Sequence, residues 1–403
     1  MRSFVLAAAA AAGVSVLLAQ ASAQIQPTAP TGPGAPNSTI GYTTDESRVR
    51  AIEPPDRRLP PEADTARIKK FSFFAYGDTR GGSASQGQPA PDGQILQVAH
   101  TAVIDGMISK ARELASTPFP VRFVVSSGDA VLYGPNGRMW NVSYIPLIER
   151  LTRDAGLPFF FAPGNHDLTV RAVGDPSREQ GLKNTLDAMA KLMPPDGSPR
   201  RLDGYATFSF GYGNSFFVLL DSNIARDEKQ FAWVTRQLET LDRSRYRNVF
   251  AVFHHPVFSS GQHGGRTLEI PSAVMRELYL PLFRKHHVRM TLTGHDHLLD
   301  HFVERYDDGG RTYRMDHVVS AGGGAPTYVY TNEPDLQPYL EANASQHVRV
   351  EHLMKPGRTV AENPHHFVVI RVDGEKVSLE VVAAPAPAVP YRPYGRERVD
   401  LNR

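Results

Sequence analysis

The chain has 403 residues, 41% of them hydrophobic and 21% charged, with a formal net charge of +2. This is the balance of a globular protein, and the charge is too small to argue for a nucleic-acid or membrane-surface partner. The absence of cysteine excludes thiol nucleophiles and cysteine-based zinc sites. At the start, Arg2 precedes an apolar, alanine-rich run from Phe4 to Leu18, and Ala21-Ser22-Ala23 comes directly after it. That is the pattern of a secretory leader, so residues 1–23 are expected to be removed and the mature chain to begin at Gln24, in the periplasm or outside the cell. No later run is long and apolar enough to span a bilayer. Residues 24–66, rich in Pro, Gly and Thr, read as a linker or an arm laid on the surface. Residues 67–383 show no linker-like break and are expected to form one domain. A Pro-rich tail, 384–403, completes the chain.

Within the domain, strand-like and helix-like segments alternate. Phe71–Tyr76, Val121–Val125, Pro158–Ala162, Phe216–Leu220, Val249–Phe253 and Val288–Leu292 are short apolar runs that read as buried strands. Helical spacing appears in Ile95–Leu114, Ile145–Leu151, Asp227–Leu241 and Ser272–Phe283. Phe367–Val382 reads as a hairpin turning at Asp373-Gly374. The long stretch 168–206 suits either a loop over a site or a surface helix near Arg178–Leu192. The alternation predicts a layered α/β fold.

The turns at the carboxyl ends of the strands are more informative than the strands themselves. The first strand leads into Gly77-Asp78-Thr79-Arg80, the second into Gly128-Asp129, the third into Gly164-Asn165-His166-Asp167. Val249–Phe253 leads into His254-His255-Pro256, and Val288–Leu292 into Gly294-His295-Asp296-His297. In open α/β sheets, the loops beyond the carboxyl ends of strands converge on one crevice. Carboxylate, amide oxygen and imidazole are the donors that divalent cations of intermediate hardness take. The adjoining glycines permit sharp turns and close backbone approach. Each piece alone is a turn or a cap; all five together, in this order, are a candidate metal site. His317, just before a Gly-rich loop, is a lesser candidate for lining it.

The order GD, GD, GNHD, HHP, GHDH resembles that of the calcineurin-like metallophosphoesterases, a superfamily that includes purple acid phosphatases. The resemblance implies a four-layer α/β/β/α sandwich with mixed sheets and a pair of divalent or trivalent metal ions, iron, manganese or zinc. It implies that Asp129 bridges the two metals, that Asp78 and His297 bind the first, and that Asn165, His254 and His295 bind the second. His254 is preferred to His255 because the family's ligand lies two residues before the proline. His166 is expected to assist the leaving oxygen, with Asp167 orienting its imidazole. The substrate class implied is a small phosphoester, mono- or diester, attacked by a metal-activated hydroxide.

The chain departs from the pattern at its first motif. Most members carry a metal-binding histidine two residues after the first aspartate; here that residue is Arg80, which cannot ligate a cation because a guanidinium stays protonated. Purple acid phosphatases compensate with a tyrosine three residues after the bridging aspartate, where this chain has Leu132, with Tyr133 one later. Arg80 has two readings, a clamp on substrate phosphate or an arginine paired with an acid beside the site. A catalytically silent metal- or phosphate-binding protein on the same fold is the alternative function.

Overall fold

In the computed structural model, the described residues are 47–80, 87–89, 95–169, 171–265, 268–384 and 398–400. The expected leader and most of the Pro-rich tail lie outside them. Among the described residues, thirteen strands build two mixed sheets. The first sheet holds β1 (Lys70–Tyr76), β2 (Val121–Ser126), β3 (Phe159–Phe161), β11 (His366–Asp373), β12 (Lys376–Ala383) and β13 (Arg398–Asp400), in the order β13-β12-β11-β1-β2-β3. The second holds β4 (Phe208–Tyr212), β5 (Ser215–Leu219), β6 (Asn248–Val252), β7 (Met290–Thr293), β8 (Leu299–Asp308), β9 (Arg311–Ser320) and β10 (Arg349–Met354), in the order β10-β8-β9-β7-β6-β5-β4. A two-stranded ribbon, Gly87–Pro89 with Ile95–Gln97, stands apart. No helix among the described residues is long and apolar enough to cross a membrane.

Side-chain alternation sorts the strands into four layers. Successive residues of a strand face opposite sides, and here both sides are covered, so the strands read as unbroken apolar runs. In β5 and β6, Phe217 and Phe250 face the first sheet, where Phe73 meets both at 5.1 and 5.2 Å between ring centroids. Phe123 of β2 packs edge-on against Phe217 and Phe210, at 5.1 and 5.3 Å. Phe160 stacks on Phe210 at 4.0 Å. The layer between the sheets is therefore largely aromatic. On the outer face of the first sheet, Phe74 and Phe367 share a core with Val103, Ile104 and Met107 of the helix Val98–Leu114. On the outer face of the second, Phe216, Val218 and Phe253 pack with Trp233 and Val234 of Glu228–Glu239 and with the helical stretch Ile270–Lys285. This is the expected α/β/β/α sandwich.

Differences from the sequence reading are local. The helix expected from Ile95 begins at Val98, because Ile95–Gln97 pairs as a strand. The helix read as Ser272–Phe283 is interrupted by a wider turn at Met275–Tyr279. Residues 168–206 contain the helix Pro176–Met189, which lies against the Asn165–Leu168 turn: Asn184 Nδ2 donates to Gly134 O at 2.9 Å, and a side chain at Gly181 would meet the Asp167 carbonyl. The hairpin β8–β9 is absent from the sequence reading. Its two-residue turn, Gly309-Gly310 with φ of 55° and 77°, carries the positive-φ glycines such a turn needs. Ahead of the domain, Val49 and Ile52 are buried, and Arg50 pairs with Glu149.

Strand direction then places the site. β1, β2 and β3 run parallel, as do β5, β6, β7 and β9, so the loops after β1, β2 and β3 leave one end of their sheet, and those after β6 and β7 one end of theirs. The aromatic layer fixes one sheet against the other, and Phe217 sits at its middle. Phe217→Ala is expected to cost about 3–5 kcal/mol of stability in a urea unfolding series; a loss under about 1 kcal/mol would show that this ring does not hold the sheets together.

Candidate metal centre

The loops bring their polar residues together at a backbone cost. Asp78, Asp129 and His295 all have positive φ, 60°, 54° and 73°. L-residues rarely adopt that region, and where they do the surrounding structure must over-determine it. Here the ties are hydrogen bonds between neighbouring loops of the first sheet and from the second sheet to the first. Asp78 N–H donates to Gly128 O at 2.9 Å, and Thr79 and Arg80 N–H donate to Asp129 O at 3.0 and 3.1 Å. His295 N–H donates to both oxygens of Asp78, at 2.9 and 3.0 Å. The Gly-rich loop after β9 returns over β1: Gly323 N–H donates to Gly77 O and Ala325 N–H to Asp78 O. Gly128, with φ of 101°, and Gly164 pass so close that a Cβ on Gly164 would collide with Asp129 Oδ1.

The protonation of each histidine is set by its partner, because a carbonyl or an ionised carboxylate can only accept. His254 Nδ1–H donates to Ser127 O at 2.9 Å, which leaves Nε2 with a bare lone pair. His295 Nε2–H donates to Glu269 Oε2 at 2.8 Å, which leaves Nδ1 bare. These two nitrogens and Asn165 Oδ1 then face one another. Asn165 Oδ1 lies 2.8 Å from His254 Nε2 and 3.0 Å from His295 Nδ1, and the two nitrogens are 3.1 Å apart. Asp129 Oδ1 stands 3.4 Å from His254 Nε2. Four acceptors so close, with no hydrogen between them, repel unless a cation sits among them. Donors about 2.0–2.2 Å from one ion stand roughly 3 Å from each other, so this set fits a metal. Asp78, Asp129 and His254 also form one compact group of potential ligands.

The other expected ligand set is arranged differently. His297 Nδ1–H donates to Pro326 O at 2.8 Å, so Nε2 is bare here too, and it lies 3.6 Å from Asp78 Oδ1. It is met by Arg80 Nη2 at 3.1 Å. Arg80 Nε forms an ion pair with Asp129 Oδ2, also at 3.1 Å. The guanidinium therefore lies on the atoms that a first metal would use, and these residues do not fit a metal as they stand.

Electrostatics agree with a site short of positive charge. Burial, with the neighbouring charge of Asp129, pushes the Asp78 carboxyl well above the usual carboxylate range. Burial also opposes ionisation of Asp129, but His254, His166 and Arg80 beside it hold its carboxyl far below that range. Burial lowers His254 to about 3 and carries His297 well below the ordinary imidazole value. Neutral imidazoles are what metal ligation requires.

The carboxylate of Asp167 does not orient His166, contrary to expectation. Its oxygens accept from the backbone N–H groups of Asp129, Ala130 and Gly164, at 2.9, 2.8 and 2.8 Å, so it braces the two ligand loops against each other. The imidazole of His166 is held instead by Leu132 O, which accepts from Nδ1–H at 2.8 Å, while His166 N–H donates to Asp129 Oδ1 at 2.9 Å. The cause is geometric: adjacent residues on a short helical turn point apart. Burial, then the charge of Arg80, lowers His166 to about 4. His317 does not line the site; it is bound to Thr291 and Glu304 at 2.9 and 3.0 Å.

Residues 105–299 match the family model of the calcineurin-like phosphoesterases. The match covers 195 of the chain's 403 residues and takes in the loops after β2, β3, β6 and β7. No curated protein matches the chain. Among solved structures it is similar to a purple acid phosphatase from yellow lupin (Lupinus luteus) seeds, with 14% identity, a TM-score of 0.54 and coverage of 83% of this chain and 54% of that one. This chain thus spans about half the length of the lupin phosphatase, and the likeness shows the fold. It is also similar to a dimetal phosphatase from Danio rerio, with 15% identity, a TM-score of 0.42 and coverage of 78% and 96%. A third similar structure is an anchor protein of the inner membrane complex of Plasmodium, with 14% identity, a TM-score of 0.43 and coverage of 81% and 90%.

Two residues of this centre, Glu269 and His263, escape the sequence reading. Glu269 takes the outer N–H of His295 and also His263 Nδ1, at 2.6 Å. Burial opposes its ionisation, but these two histidines hold its carboxyl well below the usual range. A carboxylate behind a metal-binding imidazole fixes its tautomer and raises its basicity. Glu269 lies just before the helix Ile270–Val274, in a stretch with no apolar period and no motif, so only its contact with His295 reveals it. Glu269→Ala is expected to weaken metal binding roughly 10- to 100-fold, and Glu269→Gln, whose amide oxygen still accepts, by less. Titration of the chelator-stripped protein with manganese, monitored by calorimetry, checks this; equal affinity in all three proteins would remove Glu269 from the centre.

Proposed function

We propose that this chain is an exported, metal-dependent phosphoesterase that hydrolyses phosphomonoesters or small phosphodiesters. One observation carries the reading: Asp129, Asn165, His254 and His295 converge through atoms that can only accept. A bound ion of iron, manganese or zinc would be held by these four residues, and it supplies the charge that acidifies an attacking water and offsets the negative phosphate. The remaining work falls to the chain's own side chains. Glu269 and Ser127 keep the two imidazoles in the ligating tautomer. Asp78 and His297 complete the polar floor beside Asp129. Arg80, 15% exposed, offers N–H donors to a phosphate oxygen. His166 spends Nδ1–H on Leu132 and keeps Nε2 for the substrate. Neutral in the free site, it takes up a proton from solvent when an anionic ester binds and gives it to the leaving oxygen, while the attacking water gives up its own proton to solvent. Export rests on the leader in residues 1–23, and the mature chain would begin at Gln24.

The test uses the mature chain, stripped with a chelator and reloaded with manganese, iron or zinc, on a chromogenic phosphomonoester and a phosphodiester. Stripping is expected to abolish turnover and reloading to restore it. His166→Ala is expected to lower kcat by about 10²–10⁴-fold while elemental analysis finds the metal retained. Bound metal with no turnover on any ester would favour the silent metal- or phosphate-binding reading. Arg80→Ala is expected to raise KM or lower kcat for the same esters; unchanged kinetics would take Arg80 out of the site.

A further inference from the structure

We infer that Arg80 is itself the second cation of this centre, standing where the first metal of a pair would stand, so that the chain binds one metal ion. This deepens the phosphoesterase reading and rests on it for catalysis, but the occupancy stands on the donor geometry alone. The two ligand sets differ in one respect. Around Asn165, His254 and His295, bare acceptors face one another with no donor among them. Around Asp129 Oδ2 and His297 Nε2, a cation already lies against the same kind of bare acceptors: Arg80 Nε forms an ion pair with the first at 3.1 Å, and Nη2 hydrogen-bonds to the second at 3.1 Å. Those are the lone pairs a first metal would need. A metal bonded to both at about 2.0–2.2 Å would displace the guanidinium from two charged or polar partners inside a buried site.

Arg80 is also placed to remain there. Its backbone N–H is tied to Asp129 O at 3.1 Å, and its side chain is 15% exposed. A guanidinium cannot become a ligand, but its planar fork suits two acceptors in fixed positions and leaves further N–H groups for an anion. The centre then carries the positive charges of one metal and one arginine. The arginine takes the share of phosphate binding that a second metal would otherwise supply.

Metal content decides the matter. The chelator-stripped chain is incubated with excess manganese, desalted, and measured by elemental analysis and electron paramagnetic resonance. One manganese per chain, with the hyperfine sextet of an isolated ion, is expected. Two per chain with a spin-coupled spectrum would overturn the inference. Arg80→His, which removes the guanidinium and supplies an imidazole, is expected to double the manganese content and produce the coupled spectrum. An Arg80→His protein that unfolds like the parent, yet stays at one, would overturn the claim that Arg80 is what excludes the second ion. Measurement on the unaltered chain stands even where the variant does not fold. Phosphoester turnover with two metals would sink this inference and keep the proposed function; one metal without turnover would do the reverse.

Discussion

Lone pairs repel, and the centre of this protein presses four acceptor atoms together with no hydrogen between them. Everything around it can be read as what is needed to hold them there. Each imidazole is pinned from behind by a carbonyl or a carboxylate, so it cannot turn its N–H inward and relieve the crowding. Asp129 and Asp78 are held in left-handed backbone conformations by hydrogen bonds from the opposite loop. Glycine is required where those loops touch, because any side chain at position 164 would displace the Asp129 carboxylate. Such an arrangement is unfavourable for the bare chain and favourable with a cation, which is how a protein makes a metal site selective for being filled.

The same constraint explains the division of work between Asp167 and His166. In sequence they look like a catalytic pair. In space the carboxylate turns into the protein and gathers the amides of Asp129, Ala130 and Gly164, while the imidazole turns outward. Asp167 thereby fixes the position of Asp129 and does not reach the imidazole of His166. Burial with like charges nearby raises its pKa well above the ordinary value, and the amide donors are what offset that penalty.

Much of this is legible in the sequence. Strands covered on both faces must be apolar along their whole length, so β1, β2, β5 and β6 announce themselves, and the polar residues after them stand out by contrast. Arg80 is legible as an anomaly, though not where its guanidinium lies. The hidden features depend on contacts between distant segments. Glu269 is one acidic residue among many until His295 is placed beside it, 26 positions away. His263 lies in a glycine-rich loop with nothing local to mark it. The hairpin β8–β9 is hidden because its strands mix charged and apolar residues, Glu304 and Asp316 being buried against His317 and His301, which breaks the usual alternation. Only its Gly-Gly turn is a local signal.

The aromatic layer between the sheets has one more consequence. Asp78, Asp129 and Asn165 hang from the first sheet, His254, His295 and His297 from the second, so the gap that sets the coordination sphere is a distance between two slabs. Rings as large as Phe73, Phe123, Phe217 and Phe250 act as rigid spacers, and interiors this dense compress very little. The spacing between the two sets of donors is thus set by phenylalanines remote from all of them, and a change in core packing would shift that spacing without touching a single donor atom.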